Sequence, residues 1–159
     1  MKKFILLVSA LLLTNMAVMA QSSMAFEKGY RGNISLTGNF GVNRHLINNG
    51  VEITTSHGYS FGDGMYIGGG IGVNLSMNNY MDIPVYFDIK YNITDWKLSP
   101  YVDCRTGFVI WGDTEELAFM ASPGVGFDYR KMSFRTGYKC EAVSNFKFHT
   151  ISVGISVNF

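Results

Sequence analysis

The chain has 159 residues, of which 47% are hydrophobic, 14% aromatic and only 16% charged, with 18 glycines. A soluble domain usually carries about 25% charged residues. The formal net charge of +1 offers no basic field, so no nucleic-acid partner is expected, and one structural domain fits the length.

Residues 1–20 read as a secretory signal peptide. Lys2 and Lys3 form a positive n-region, Phe4 to Leu13 an apolar stretch, and Val18-Met19-Ala20 places small residues before Gln21. The apolar stretch is too short for a spanning helix. Cleavage is expected after Ala20, with Ser23-Met24-Ala25 as the second site and an uncleaved anchor as the alternative. No Cys follows the apolar stretch, so no lipid-modified N-terminus is expected. Loss of Lys2 and Lys3 would leave the exported part at a net −1.

From Tyr30 onward the pattern changes to period two, with turn signals between segments. Tyr30, Gly32, Ile34, Leu36, Gly38, Phe40 and Val42 alternate with polar or small residues, and Asn49-Gly50 is a hairpin-type turn signal. Val51, Ile53, Thr55, His57, Tyr59 and Phe61 follow, then a turn at Asp63-Gly64, then Met65, Ile67, Gly69, Ile71, Val73 and Leu75. The fourth segment shows Ile83, Val85, Phe87, Ile89, Tyr91 and Ile93; the fifth shows Val102, Cys104, Thr106, Phe108 and Ile110. Leu117, Phe119, Ala121, Pro123, Val125, Phe127 and Tyr129 form the sixth, and Met132, Phe134, Thr136, Tyr138 and Cys140 the seventh. The eighth is His149, Ile151, Val153, Ile155, Val157 and Phe159. Eight strands are predicted, and no stretch after the signal is long and apolar enough for a spanning helix.

The two phases decide which face is which. The apolar phase holds no Asp, Glu, Lys or Arg, although such residues make up 16% of the chain. The other phase is rich in Gly, Ser, Thr and Asn, where a solvated outer face would carry many Lys and Glu. Small residues suit a cramped lumen, and large aromatics suit lipid. The charges of the polar phase balance: Arg31, Lys90, Arg105, Arg135 and Lys139 against Glu52, Asp88, Asp103, Asp128 and Glu141. A balanced set is what an ion-paired interior needs, because an unpaired buried charge is costly. The fold class is therefore all-β, an eight-stranded antiparallel up-and-down transmembrane β-barrel with a lumen ion-pair network. A soluble lipocalin-like barrel, apolar inside, is the alternative.

With export signal, eight amphipathic strands and the ending Ile151-x-Val153-x-Ile155-x-Val157-x-Phe159, the chain resembles small bacterial outer-membrane barrels of the OmpA/OmpX type. The Gly-rich third segment, Tyr66-Ile67-Gly68-Gly69-Gly70-Ile71-Gly72, and the short connections are similar to small barrels common in Bacteroidetes. The resemblance covers residues 28–159 and rests on pattern. It implies a Gram-negative outer-membrane location and an assembly signal at Phe159 with Val157, Ile155, Val153 and Ile151. It also implies membrane lipid, lipopolysaccharide and the barrel assembly machinery as partners of a monomer. The parts are then a signal peptide (1–20), a short periplasmic segment (21–27) and the barrel (28–159). The two-domain OmpA plan with a periplasmic peptidoglycan-binding domain is not expected. Pro123, in mid-strand, departs from the pattern, and a bulge or break is expected there.

A periplasmic N-terminus would put the turns near Asp63-Gly64, Asp95-Trp96 and Arg130-Lys131 in the periplasm. The segments 43–50, 76–82, 111–116 and 141–147 would then lie outside, modestly longer but without extended receptor-like loops. Gly68-Gly69-Gly70-Ile71-Gly72 is read as close barrel packing, because a phosphate-binding loop opens a helix. Cys104 and Cys140 are expected as free thiols on the fifth and seventh strands. His57 and His149 interrupt the lipid face. A lipid-modifying hydrolase would use His149, with Ser144 and Glu141 as the neighbours to enlist, but an interfacial aromatic is the preferred role. No spacing suggests a metal, and no cofactor is expected. The sequence thus points to a non-enzymatic barrel with a side-chain-plugged lumen and a structural or surface-interaction role; a lipid-modifying enzyme and a minor small-solute channel are the alternatives.

Overall fold

The computed structural model describes residues 26–42, 49–77, 81–112, 116–143 and 146–159. The signal peptide, both cleavage sites and most of segment 21–27 lie outside the described residues. Eight strands follow in order: β1 (Lys28–Gly41), β2 (Gly50–Phe61), β3 (Met65–Ser76), β4 (Met81–Asn92), β5 (Leu98–Trp111), β6 (Leu117–Tyr129), β7 (Met132–Val143) and β8 (Phe146–Asn158). Each pairs antiparallel with its sequence neighbours, and β8 pairs with β1 to close the barrel. Closure continues to the last residue, where Gly32 and Phe159 exchange backbone hydrogen bonds of 2.8 and 2.9 Å.

The register sets the shape. Following Cα partners once round from Gly29 through Ser60, Tyr66, Lys90, Asp103, Gly124, Gly137 and Ser152 returns to β1 at Asn39, ten residues further on. A ten-residue stagger at about 3.3 Å per residue, over eight spacings of about 4.8 Å, tilts the strands by about 40°. Strands of 12–14 residues then rise about 30 Å along the axis, enough to cover the apolar band of a membrane barrel. Globular strands are typically half as long.

The alternation runs as the two phases require. Ile34, Leu36, Ile53, Ile71, Val85, Phe87, Val125 and Val153 face outward and are exposed, Phe87 to 70%. Asn33, Ser35, Thr37, Thr54, Ser56, Ser122 and Ser152 face inward and are buried. The inward glycines make room for larger lumen side chains. A Cβ on Gly70 would stand 2.5–2.7 Å from the Tyr86 ring, and one on Gly124 2.5–2.7 Å from Asp103 and Arg135. Outward-facing Gly69 has nothing closer than 3.7 Å.

Some local expectations need correction. At Pro123 the alternative of a bulge or break resolves to a break without a bulge: the β6–β7 register is the same before and after it, and pairing lapses between Ala121↔Cys140 and Gly124↔Gly137. Pro84 does the same between Ile71↔Val85 and Asn74↔Asp82 on the β3–β4 side. In each case the opposite ladder stays intact, as Cys104↔Pro123 and Pro84↔Val109. Proline therefore costs pairing on one side only, and the closed barrel absorbs it without an extra residue. Asn49-Gly50 is not a hairpin turn. Gly50 already belongs to β2, while Asn49 accepts hydrogen bonds from the Gly41 and Met77 N–H groups and so ties three strands together. The strands also run further than the sequence suggests, leaving connections of 42–49, 77–80, 112–116 and 144–145 at one end. Residues 43–48, 78–80, 113–115 and 144–145 lie outside the described residues. At the other end the turns are tight. At 62–64, Gly62 and Gly64 adopt φ of 86° and 90°, and the Asp63 carboxylate accepts the Met65 N–H at 3.0 Å.

Candidate functional site

The chemistry of this barrel is concentrated in its lumen, which has three levels. Nearest the tight turns, Asp128 is a hub. Its carboxylate accepts from Arg31 at 3.1 Å and Asn92 at 2.9 Å on one oxygen, and from Lys90 at 2.7 Å and Ser133 at 2.5 Å on the other. Asn158 donates to Ser133 at 2.8 Å, and Asn92 to Ser99 at 3.1 Å, so β1, β4, β5, β6, β7 and β8 are tied at one level.

At mid-height, Arg135 is engaged through all three nitrogens. Its Nε donates to Asp103 at 2.7 Å, Nη1 to Ser152 at 3.2 Å, and Nη2 to the carbonyl and hydroxyl of Ser122 at 2.8 and 3.1 Å. Arg105 lies between Asp88 and Asp103 at the longer distances of 3.7 and 3.8 Å. At the loop end, Lys139 bridges Glu52 at 2.9 Å and Glu141 at 2.7 Å, and Asn39 donates to Glu52. All ten charged residues of the polar phase are thus buried in the lumen and ion-paired. Three cations also lie over inward tyrosines: Lys90 over Tyr101 at 3.8 Å, Arg105 over Tyr86 at 5.3 Å, and Arg31 over Tyr66 at 5.9 Å.

Two lumen features escape the sequence reading. Asp82 is an eleventh inward charge, only 6% exposed, accepting from Asn74 at 3.2 Å and without a cation partner among the described residues. It was hidden because β4 starts at Met81, two residues before the apolar alternation begins. The second is an apolar cluster of Tyr86, Val109, Ala118, Met120 and Val143, joined by Trp111. Phe148 adds its ring edge-on to Trp111 at 4.9 Å. The lumen is polar at the turn end and partly hydrophobic at the loop end. The signal was present as Val109, Trp111 and Met120 in the inward phase.

On the outer wall, both histidines are held by tyrosines. His149 Nδ1 lies 2.7 Å from the Tyr138 hydroxyl, with the two rings stacked. His57 Nδ1 lies 2.5 Å from Tyr30 and Nε2 2.9 Å from Thr55, so both ring nitrogens are occupied. The structure does not bring Glu141 to His149: Glu141 faces the lumen on Lys139, and His149 lies on the other side of the wall. Ser144 lies outside the described residues. Cys104 and Cys140 are unbridged, on β5 and β7 with β6 between them. Along β8, Ile151, Val153 and Ile155 are exposed, Val157 and Phe159 partly so. The Phe159 ring lies over Gly32 and edge-on to His57.

A closed eight-stranded antiparallel barrel is the architecture of the small outer-membrane barrels of the OmpA/OmpX type. Solved structures share it. The outer membrane enzyme PagL superposes with a TM-score of 0.60 at 9% identity, over 79% of this chain and 98% of that one. Neisserial surface protein A (NspA) superposes at 0.55 and 14%, over 84% and 99%. The N-terminal β-barrel domain of Pseudomonas aeruginosa OprF gives 0.53 and 15%, over 84% and 100%. At such identities the likeness is one of fold. No family model and no curated protein matches the sequence.

Proposed function

We propose that this chain is an outer-membrane protein whose strands cross the bilayer, with the tight turns in the periplasm and the longer connections outside. Its lumen is plugged by its own side chains, and its role is structural or one of surface interaction, without enzymatic activity. The observation that carries the reading is the opposition of the two faces. Exposed Ile, Leu, Val and Phe encircle the wall, while the charged residues of the polar phase are buried and paired inside. In water such a wall would be a large apolar patch seeking a partner; in lipid it is the expected surface. An eight-stranded lumen is barely wide enough for side chains. Here ion pairs occupy all three levels, and an apolar cluster adds a barrier to water at the loop end. Lipid, lipopolysaccharide and the assembly machinery are the partners this reading assigns.

The test is conductance. Purified protein in planar bilayers should show no stable single-channel opening, and a reproducible open state in the unmutated protein would favour the channel reading. A lipid-modifying hydrolase is the second reading, favoured by the outward His149 fixed by Tyr138. A lipid A mass spectrum that changes between wild type and His149→Ala would establish it; identical spectra would remove it.

A further inference from the structure

Two tight turns, far apart in sequence, are brought side by side by the register. Leu98, which follows the 93–97 turn, is the Cα partner of Tyr129, which precedes Arg130-Lys131. The shared rim therefore carries Trp96, Lys97, Tyr129, Arg130 and Lys131 in one patch. Trp96 is 70% exposed and Tyr129 44%. The Arg130 guanidinium lies over the Tyr129 ring at 5.6 Å. Arg130 also takes φ of 54°, a conformation cheaper for glycine or asparagine, whereas the 62–64 turn fills its positive-φ positions with glycine. The turn is fixed from behind, because the Lys131 carbonyl accepts from the Asn158 N–H at 2.7 Å and from its side-chain amide at 3.3 Å. Charge is unevenly spread round this rim. Asp95 is the only acid of the two turns, against Lys97, Arg130 and Lys131. The β1–β3 side instead carries Glu27 and Asp63 against Lys28.

We propose that the paired turns 93–97 and 130–131 form a docking surface for the headgroup of an anionic glycerophospholipid. Trp96 and Tyr129 sit at the membrane–water interface as amphipathic anchors. Lys97, Arg130 and Lys131 reach the phosphate plane with their stems along the apolar wall. A net positive rim beside interfacial aromatics attracts a negative headgroup and leaves a zwitterionic one without preference. The surface rests on the membrane reading above, and the experiment separates the two.

Trp111→Phe leaves Trp96 as the sole tryptophan reporter. This variant is reconstituted into phosphatidylcholine vesicles in which a minor fraction of lipid is brominated phosphatidylglycerol or, in parallel, brominated phosphatidylcholine. At low salt the anionic lipid should quench Trp96 more strongly. Lys97→Gln, Arg130→Gln and Lys131→Gln should each lower that preference about fivefold, and raised salt should weaken it. Lys28→Gln, on the opposite side, should leave it unchanged. The folded state of each variant is confirmed by its heat-modifiable gel mobility, and the single variants are read separately. Equal quenching by both lipids, or a preference that survives the triple variant, would overturn the proposal. No quenching by either lipid would contradict the membrane reading itself.

Discussion

Removing the Asp128 carboxylate should damage this barrel more than removing any one of its partners. Four donors from four different residues converge on that group, and two of them, Arg31 and Lys90, are buried cations. In Asp128→Ala both cations remain at the turn end of the lumen, and among the described residues no other carboxylate lies within ion-pair distance of them. Breaking a buried pair by deleting one partner typically costs about 3–5 kcal/mol, most of it the uncompensated charge left behind. Arg31→Ala leaves Asp128 with Lys90, Asn92 and Ser133, so its cost should be closer to about 1.5–3 kcal/mol, that of one charged hydrogen bond. Lys90→Met added to Asp128→Ala should restore part of the loss, because it removes one stranded cation at similar volume. The assay is urea unfolding of vesicle-reconstituted protein, followed by tryptophan fluorescence. A loss below about 1 kcal/mol for Asp128→Ala, as at a solvent-screened pair, would refute the view that this level is desolvated.

Adjacent glycines should respond in opposite ways. Gly70→Ala would drive a methyl into the Tyr86 ring and should cost about 1–3 kcal/mol, as overpacking does, while Gly69→Ala should be close to neutral in the same unfolding assay. Val153→Arg, on the outer wall, should cost about 2–4 kcal/mol, and Met77→Arg, at the end of β3, about 0–1 kcal/mol. Equal tolerance would invert the face assignment. Oxidation of the extracted protein should yield no intramolecular Cys104–Cys140 link by mass spectrometry. Two strand spacings of about 4.8 Å exceed the roughly 7 Å Cα limit for bridging, so a crosslink would mean that the register is wrong.

What could be read from sequence was anything that depends on period two. Alternation alone assigns Ile71 to one face and Tyr86 to the other, and it places the strands and the face of ten lumen charges, all but Asp82. It carries no information on stagger. Arg31 on β1 meets Asp128 on β6, and Lys139 on β7 meets Glu52 on β2, because a ten-residue shear sets which inward residues share a level. A one-dimensional pattern therefore yields the members of the network and not its pairs. Pro123 breaks one ladder without a bulge, and alternation cannot tell those two outcomes apart. Proline forbids one hydrogen bond, and the ladder on its other side suffices to keep register. Asp82 was invisible because apolar residues are the signal by which a strand is detected, and β4 begins before that signal does. The loop-end apolar cluster went unweighted because inward Val109 and Met120 sit among many small and polar residues of the same phase.

A barrel that spans the membrane must turn its exposed wall to lipid. Density-gradient fractionation of a Gram-negative host expressing the full chain, with carbonate extraction and unboiled electrophoresis of the outer-membrane fraction, tests this most directly. The protein should sediment with the outer membrane, resist carbonate, and migrate faster unboiled than boiled. Recovery as a soluble periplasmic protein, or release by carbonate, would contradict it.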